Sequence, residues 1–311
     1  MRIFRSYYKD VEAIVCQTPK LRAAFLPQYG GKLTSLISLY NGRELLAQAE
    51  SGQYKKPIYA GSYTDAECSG FDDMLPTIDP YVSTEYPWSG IEYPDHGEVY
   101  ALNWQYEVLG DSLHMWVYSV RFSYRLDKWI TEKEGGIIIA YQLTNLTEFE
   151  FNYIYAAHCM LAAQEDAVLE LPFADGTKIT TVFSNSGDFG TYGSKSEWKK
   201  SNFPRFGKET PKDSFKFFFD IPAPQGRCVY RYKDGMQLVF GFDHEALPYF
   251  ALWVNTGKFK NMNNVALEPC SGTFDRPDIA RLYEKYSVLL ANSSNEWYVS
   301  FDLQQKNDRM G

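Results

Sequence analysis

The stretch Phe25-Leu26-Pro27-Gln28-Tyr29-Gly30-Gly31-Lys32-Leu33 decides the fold class of this 311-residue chain. It reads as a strand, a glycine turn and a second strand carrying Leu33, Leu36 and Leu39. The adjacent glycines supply the positive φ that a tight hairpin needs. The same signal recurs outward from it. A hairpin-like run extends from Trp116 through Tyr124, and Gly135-Gly136 leads into Ile137-Ile138-Ile139-Ala140-Tyr141. Asn145-Leu146-Thr147 reads as a turn, and Phe149 to Met160 as one long aromatic strand. Gln237–Phe240 and Tyr249–Val254 are buried-strand runs, and Tyr298–Leu303 alternates as a closing strand. Convincing helix is confined to Pro277–Tyr286, with a first-turn proline and Asp278 at the positive end. Strands at short spacing without intervening helices argue against a parallel α/β sheet and favour a sandwich or barrel. No linker-like block or internal repeat divides the chain, so a single domain over residues 1–311 is expected.

Composition agrees with this. Tyr, Phe and Trp number 24, 21 and 7, together 17% of the chain. Such residues favour pleated, half-buried surfaces, and their rings offer flat apolar faces to a sugar or other neutral ligand. The net charge of −8 argues against nucleic acid or an anionic membrane as the main partner. No stretch approaches the roughly 20 apolar residues of a membrane span. The N-terminal MRIFRSYYKD lacks the apolar run of a signal peptide, and a cytoplasmic protein is expected. The sequons at Asn145 and Asn292 are therefore read as chance. Five scattered cysteines without a CxxC give no disulfide framework and no zinc site.

Four histidines are present. His96, in the turn-like Tyr93-Pro94-Asp95-His96-Gly97-Glu98, and His158, among the small residues Ala156, Ala157 and Cys159, are the candidates for chemistry. Each has the alternative of a buried ring bonded to backbone. His114, near the Gly110-Asp111 turn, and His244, between Asp243 and Glu245, read as surface turn residues. Glu268 closes the apolar run Val265-Ala266-Leu267 and precedes Pro269, which forces it toward an extended conformation at a strand end. An acid among apolar neighbours is expected to have a raised pKa, as suits a general base; the alternative is a partnered structural acid. Asp72-Asp73 either bond sugar hydroxyls or hold a turn, and by themselves make no metal site. The phosphate loop, the dinucleotide glycine fingerprint and the Gly-x-Ser-x-Gly elbow are all missing, which removes most kinases, dehydrogenases and α/β-hydrolases.

In this order, the segments resemble the aldose 1-epimerase (galactose mutarotase-like) superfamily. The likeness begins at Leu26–Leu36 and Glu44-Leu45-Leu46, and continues at Pro94-Asp95-His96-Gly97-Glu98 and Trp104. It runs on through Tyr141-Gln142-Leu143-Thr144-Asn145, Ala157-His158, Leu247-Pro248-Tyr249 to Trp253, and Leu267-Glu268-Pro269. His96 and His158 lie 62 residues apart, and His158 and Glu268 110 apart, which suits that layout. The resemblance implies an all-β supersandwich of large antiparallel sheets with a sugar cleft on a concave face. It also implies a cofactor-free, metal-free reaction. Glu268 would take the proton of the anomeric hydroxyl, His158 would protonate the ring oxygen, and His96 would assist near the anomeric centre. Asp72, Asp73 and Trp253 are the expected substrate contacts.

The sequence also departs from the stricter galactose mutarotases. Their Asn-Pro and Phe-Asn-Leu setting around the second histidine is replaced by Tyr155-Ala156-Ala157-His158-Cys159-Met160, and Cys270 stands where they carry Gln. Their early sugar-binding arginine has no clear counterpart, although Ser69–Thr77 occupies that region. A phosphorylated sugar would want a cationic pocket; Arg121, Arg125 and Arg205 are present, but their spacing shows no convergence. The alternative function is a carbohydrate-binding protein on the same fold without catalysis. A lyase or hydrolase lacks a second acid in a defensible role.

Overall fold

In the computed structural model, which describes residues 1–305 except Arg205 and Lys208 and the side chain of Asn202, the glycine hairpin forms as expected. Strand Leu21–Leu26 pairs antiparallel with Lys32–Ser38. Gly30 has φ +75° and Gly31 φ +59°, and a Cβ on Gly30 would lie 2.2 Å from the Tyr100 carbonyl oxygen. Both turn geometry and backbone approach therefore demand glycine there. Leu33 and Leu36 are buried, whereas Leu39 falls beyond the strand and is 41% exposed.

Two large sheets carry the fold. The first has eleven strands, in the spatial order Arg2–Tyr8, Val11–Gln17, Leu21–Leu26, Lys32–Ser38, Phe71–Met74, Ala156–Ala162, Asn263–Cys270, Tyr249–Thr256, Ser214–Phe219, Lys178–Ser184 and Lys195–Glu197. The second has eight: Val168–Glu170, Arg227–Arg231, Gln237–Phe242, Ser294–Gln304, Gly136–Asn145, Tyr124–Lys133, Ser112–Tyr118 and Gln105–Leu109. The strand pairs within each are antiparallel. An all-β sandwich of large antiparallel sheets is thus the architecture. The turn at Glu134 (φ +53°) and Gly135 (φ +79°) puts both central residues in the left-handed region, as a two-residue hairpin prefers. No helix among the described residues is long and apolar enough to cross a membrane.

The period of two sorts each central strand of the eleven-stranded sheet. Ala157, Cys159, Leu161, Val265, Leu267, Phe215, Phe217, Phe219, Phe250, Leu252 and Val254 enter the core between the sheets. Their alternates (His158, Met160, Ala266, Glu268, Lys216, Phe218, Ala251 and Trp253) lie on the opposite face, where smaller apolar clusters form. That second face is the floor of the site.

Three expectations are corrected. Phe149–Met160 is two strands: Phe151–Tyr153 pairs with Ser287–Leu289 in a separate ribbon, and Ala156–Ala162 joins the large sheet. The break falls at Ile154 and Tyr155, whose N–H groups leave the ladder to reach the Pro76 carbonyl and Ser271 Oγ. The helix covers Pro277–Leu282 only, with Pro277 and Asp278 in the expected first turn. It stops because the Lys285 N–H folds back to the Ala280 carbonyl and Glu284 takes φ +56°. His114 is a buried strand residue, its Nδ1 2.9 Å from Glu107 and its Nε2 2.8 Å from Asp127, between the rings of Trp116 and Trp129. Asn145 is buried and donates to the Phe149, Leu289 and Leu290 carbonyls, so its sequon is no acceptor for a glycan.

Candidate active site

Strand register assembles the polar cluster. Ala156 faces Cys270 and Cys159 faces Leu267, so His158 comes opposite Glu268 on adjacent strands. On its other side His158 pairs with Asp72. Pro269, with no N–H to give, lies in the gap between those two bridges. Glu268 is consequently not at a strand end: it sits inside Asn263–Cys270, fully buried. Nor are its neighbours apolar. Lys216, from Ser214–Phe219, places Nζ 2.7 Å from Glu268 Oε2 and 2.9 Å from Asp275 Oδ1. His158 Nε2 stands 3.7 Å from Glu268 Oε1. The Lys216 contact is an ion pair lying off the direction of a good hydrogen bond, and neither Glu268 oxygen nor His158 Nδ1 has a hydrogen-bond partner.

His96 reaches the same place from a loop. Its ring stacks on Tyr63 with centroids 4.1 Å apart, and its centroid is 6.0 Å from that of His158. Nδ1 lies 2.6 Å from Asp95 Oδ1, while Asp95 Oδ2 accepts the Tyr63 N–H. The loop is set by backbone: His96 takes φ +56° and donates its N–H to the Ile78 carbonyl, and Gly97 takes φ +75°. A Cβ on Gly97 would come within 2.2 Å of the Leu75 oxygen. Gly97→Ala is therefore expected to cost at least about 1–3 kcal/mol in backbone conformation alone. Urea unfolding measures it, and unchanged stability would contradict the close approach.

The three residues expected to act together, His96, His158 and Glu268, do line one cleft, as does Trp253. Its space of about 360 Å³ is also lined by Phe183, Phe259, Tyr63, Ile78, Asp79 and Asp275. That falls within the usual size of small-ligand sites. Asp72 and Asp73, the other expected contacts, do not line it. Alternation along Phe71–Met74 sends them to opposite faces. Asp72 lies behind Tyr63, accepting from its hydroxyl at 3.0 Å and pairing with Lys32. Asp73 turns into the core, where it meets Lys128 Nζ at 2.8 Å and the Tyr155 hydroxyl at 2.7 Å. Arg121 sits at Glu92, Arg125 at Asp127, and Arg205 lies outside the described residues.

Sequence reasoning missed Lys216, Asp275, Asp79 and Tyr63. Burial alone works against a charged Lys216, but the Asp275 and Glu268 carboxylates outweigh it and hold the ammonium protonated. Burial, reinforced by His96 and Lys216, holds the His158 pKa well below the usual imidazole value, so this ring is neutral near pH 7. Asp79 is pushed up to about 6 by burial and by the charge of Asp275. Burial opposes the charge of Asp95, yet its hydrogen bond and attraction to His96 keep it below the ordinary carboxylate range. One signal for Lys216 was present: a lysine inside the run Phe215-Lys216-Phe217-Phe218-Phe219 has to find a buried acid.

No protein-family sequence model matches the chain, and no curated protein matches it in sequence. Solved structures do match in shape. A galactose mutarotase-like protein from Clostridium acetobutylicum has a TM-score of 0.70 at 11% identity, over 98% of this chain and 99% of that one. The Slr1438 protein of Synechocystis sp. PCC 6803 gives 0.69 at 15%, over 97% and 99%. An Escherichia coli K12 protein provisionally assigned as an aldose 1-epimerase gives 0.64 at 15%, over 98% and 99%. At such identities the likeness is one of fold, and it runs through nearly the whole length of each chain. These likenesses give the chain the galactose mutarotase-like fold, in a divergent sequence.

Proposed function

We propose that the protein is a sugar mutarotase, interconverting the α and β anomers of an unphosphorylated aldose by general acid–base ring opening. The observation that carries this reading is the convergence of His96, His158 and Glu268, distant in sequence, on one cleft with an aromatic wall. Glu268 takes the proton of the anomeric hydroxyl, the bond from C1 to the ring oxygen breaks, and a histidine gives that oxygen a proton. The open-chain aldehyde turns about its C1–C2 bond and recloses on the other face, reversing both transfers. His158 was the expected acid. Its neutral state moves that role to His96, whose Nδ1 rests on Asp95 while the other ring nitrogen exchanges the proton. His158 then serves as a hydrogen-bond partner for the sugar, its Nε2 3.7 Å from Glu268 Oε1.

The substrate class follows from charge. Lys216 is the one Lys or Arg among the described residues lining the cleft, and two carboxylates already engage it. A phosphate dianion would meet Glu268, Asp275 and Asp79 with no free Lys or Arg among the described lining residues to bind it. Polarimetry or NMR of anomer exchange over a panel of aldoses and their 6-phosphates tests this. At least one free aldose is expected to equilibrate faster than its spontaneous rate, with kcat/KM at least about tenfold above that of its phosphate. A preference for the phosphate would refute the charge argument.

The alternative, a carbohydrate-binding protein without turnover, gains from one feature: the base is already ion-paired with Lys216. Binding of a sugar by calorimetry with no acceleration across the panel would select it.

A further inference from the structure

We propose that Lys216 is a positioning residue that keeps Glu268 ionised and leaves its Oε1 oxygen free to accept the sugar's proton. The inference rests on the reading of Glu268 as the base. Glu268 has no exposure to water, and a carboxylate so placed without a partner takes up a proton. Each element around it can be checked for the counter-charge. Ala251, opposite it on Tyr249–Thr256, is neutral. His158, opposite on Ala156–Ala162, is held neutral. Cys270, two residues on along its own strand, carries a thiol that burial keeps protonated. Asp275, from the turn after its strand, has the same sign as Glu268. Among the described residues Lys216 is the Lys or Arg in contact with it, 2.7 Å from Oε2.

The direction of the contact matters as much as its charge. Lys216 approaches Oε2, so Oε1 remains on the His158 side, 3.7 Å from Nε2, with no hydrogen bond of its own. Asp275 braces the ammonium from the other side at 2.9 Å. The chain reaches that bracing position through two consecutive left-handed residues, Phe274 at φ +63° and Asp275 at φ +64°. Such conformations are costly for residues other than glycine and persist where surrounding structure fixes them. The backbone carbonyl of Asp275 is fixed by the N–H groups of Ile78 and Asp79 and by the Thr77 hydroxyl. Glu268, Lys216 and Asp275 thus form a carboxylate–ammonium–carboxylate row whose Glu268 end leaves Oε1 beside His158, a residue that lines the cleft.

The test compares Lys216→Met, Lys216→Arg and wild type in anomer exchange from pH 6 to pH 9.5, after subtraction of the spontaneous rate. Buried glutamates without a cation titrate near pH 8–9, so Lys216→Met is expected to keep about one-tenth to one-hundredth of the wild-type rate at pH 7. It should recover to within a few-fold of wild type above pH 9, because raising the pH restores the carboxylate. Lys216→Arg should keep the wild-type profile. Equal loss for Lys216→Met at every pH, or no loss at pH 7, overturns the proposal. Infrared difference spectra against Glu268→Gln read the carboxyl directly and need no turnover. They should show an ionised group in wild type at pH 7 and a protonated one in Lys216→Met. If wild type accelerates no sugar, the mutarotase reading fails, yet the spectra still decide the role of Lys216. If Lys216→Met does not fold, a protonated Glu268 in wild type at pH 7 overturns it all the same.

Discussion

Glu268→Gln is expected to slow anomer exchange by about 10²–10⁴-fold, the usual cost of losing a positioned general base. The amide preserves size and one acceptor oxygen, so sugar binding measured by calorimetry should change little. Its NH₂ group, however, cannot take the anomeric proton. The substitution also removes the negative partner of Lys216, which retains Asp275 at 2.9 Å and so does not become an orphaned buried cation. That remaining contact separates a catalytic defect from a folding defect: a thermal midpoint close to wild type with turnover abolished is the expected pair of results. If the excess over the spontaneous rate survives in Glu268→Gln, Glu268 is not the base.

A second large effect is expected far from the cleft. Lys128, from the eight-stranded sheet, reaches across the core to Asp73 on the eleven-stranded one, and both side chains are 2% exposed. Nζ also donates to the Gly31 carbonyl at 2.7 Å and lies 4.5 Å from the Trp104 ring centroid. Lys128→Met fills much of the same volume but leaves the Asp73 carboxylate buried, with the Tyr155 hydroxyl as its remaining donor. Such broken buried pairs cost about 3–5 kcal/mol. Denaturant unfolding should report that loss, and pairing Lys128→Met with Asp73→Leu should return a substantial part of it, since replacing both partners removes the unpaired charge. A loss below about 1 kcal/mol in the single variant would show that Asp73 is relieved by water or by protonation.

These two carboxylates also mark where the sequence could be read and where it could not. Glu268 stood out as an acid in apolar company and Asp73 as one of a pair that bonds sugar hydroxyls or holds a turn, and the all-β class, most of the hairpins and the strand runs followed from glycine turns and β-favouring residues. Those are local properties, fixed by positive φ and by a period of two. The order of weak motifs was enough to single out His96, His158 and Glu268 as residues that meet. Even the split fate of Asp72 and Asp73 was latent in that period, since neighbours on a strand face opposite ways.

What the sequence did not contain was which strand lies beside which. Lys216 is 52 residues from Glu268, and nothing local joins them until Ser214–Phe219, Tyr249–Thr256 and Asn263–Cys270 become neighbours in one sheet. That adjacency places an ammonium against the base and, with burial, holds His158 neutral. It changes the setting of Glu268 from apolar to ion-paired, and in the proposed reaction it favours His96 over His158 as the acid. The bend at Ile154 escaped for the same reason: its N–H is claimed by the Pro76 carbonyl, a group supplied by a distant part of the chain. Turn chemistry and side-chain alternation are written residue by residue, so the sequence alone determined the strands and the candidate acids and bases. Charge state depends on the sum of burial and opposing charge at a point in space, and only the tertiary structure brings those contributions together.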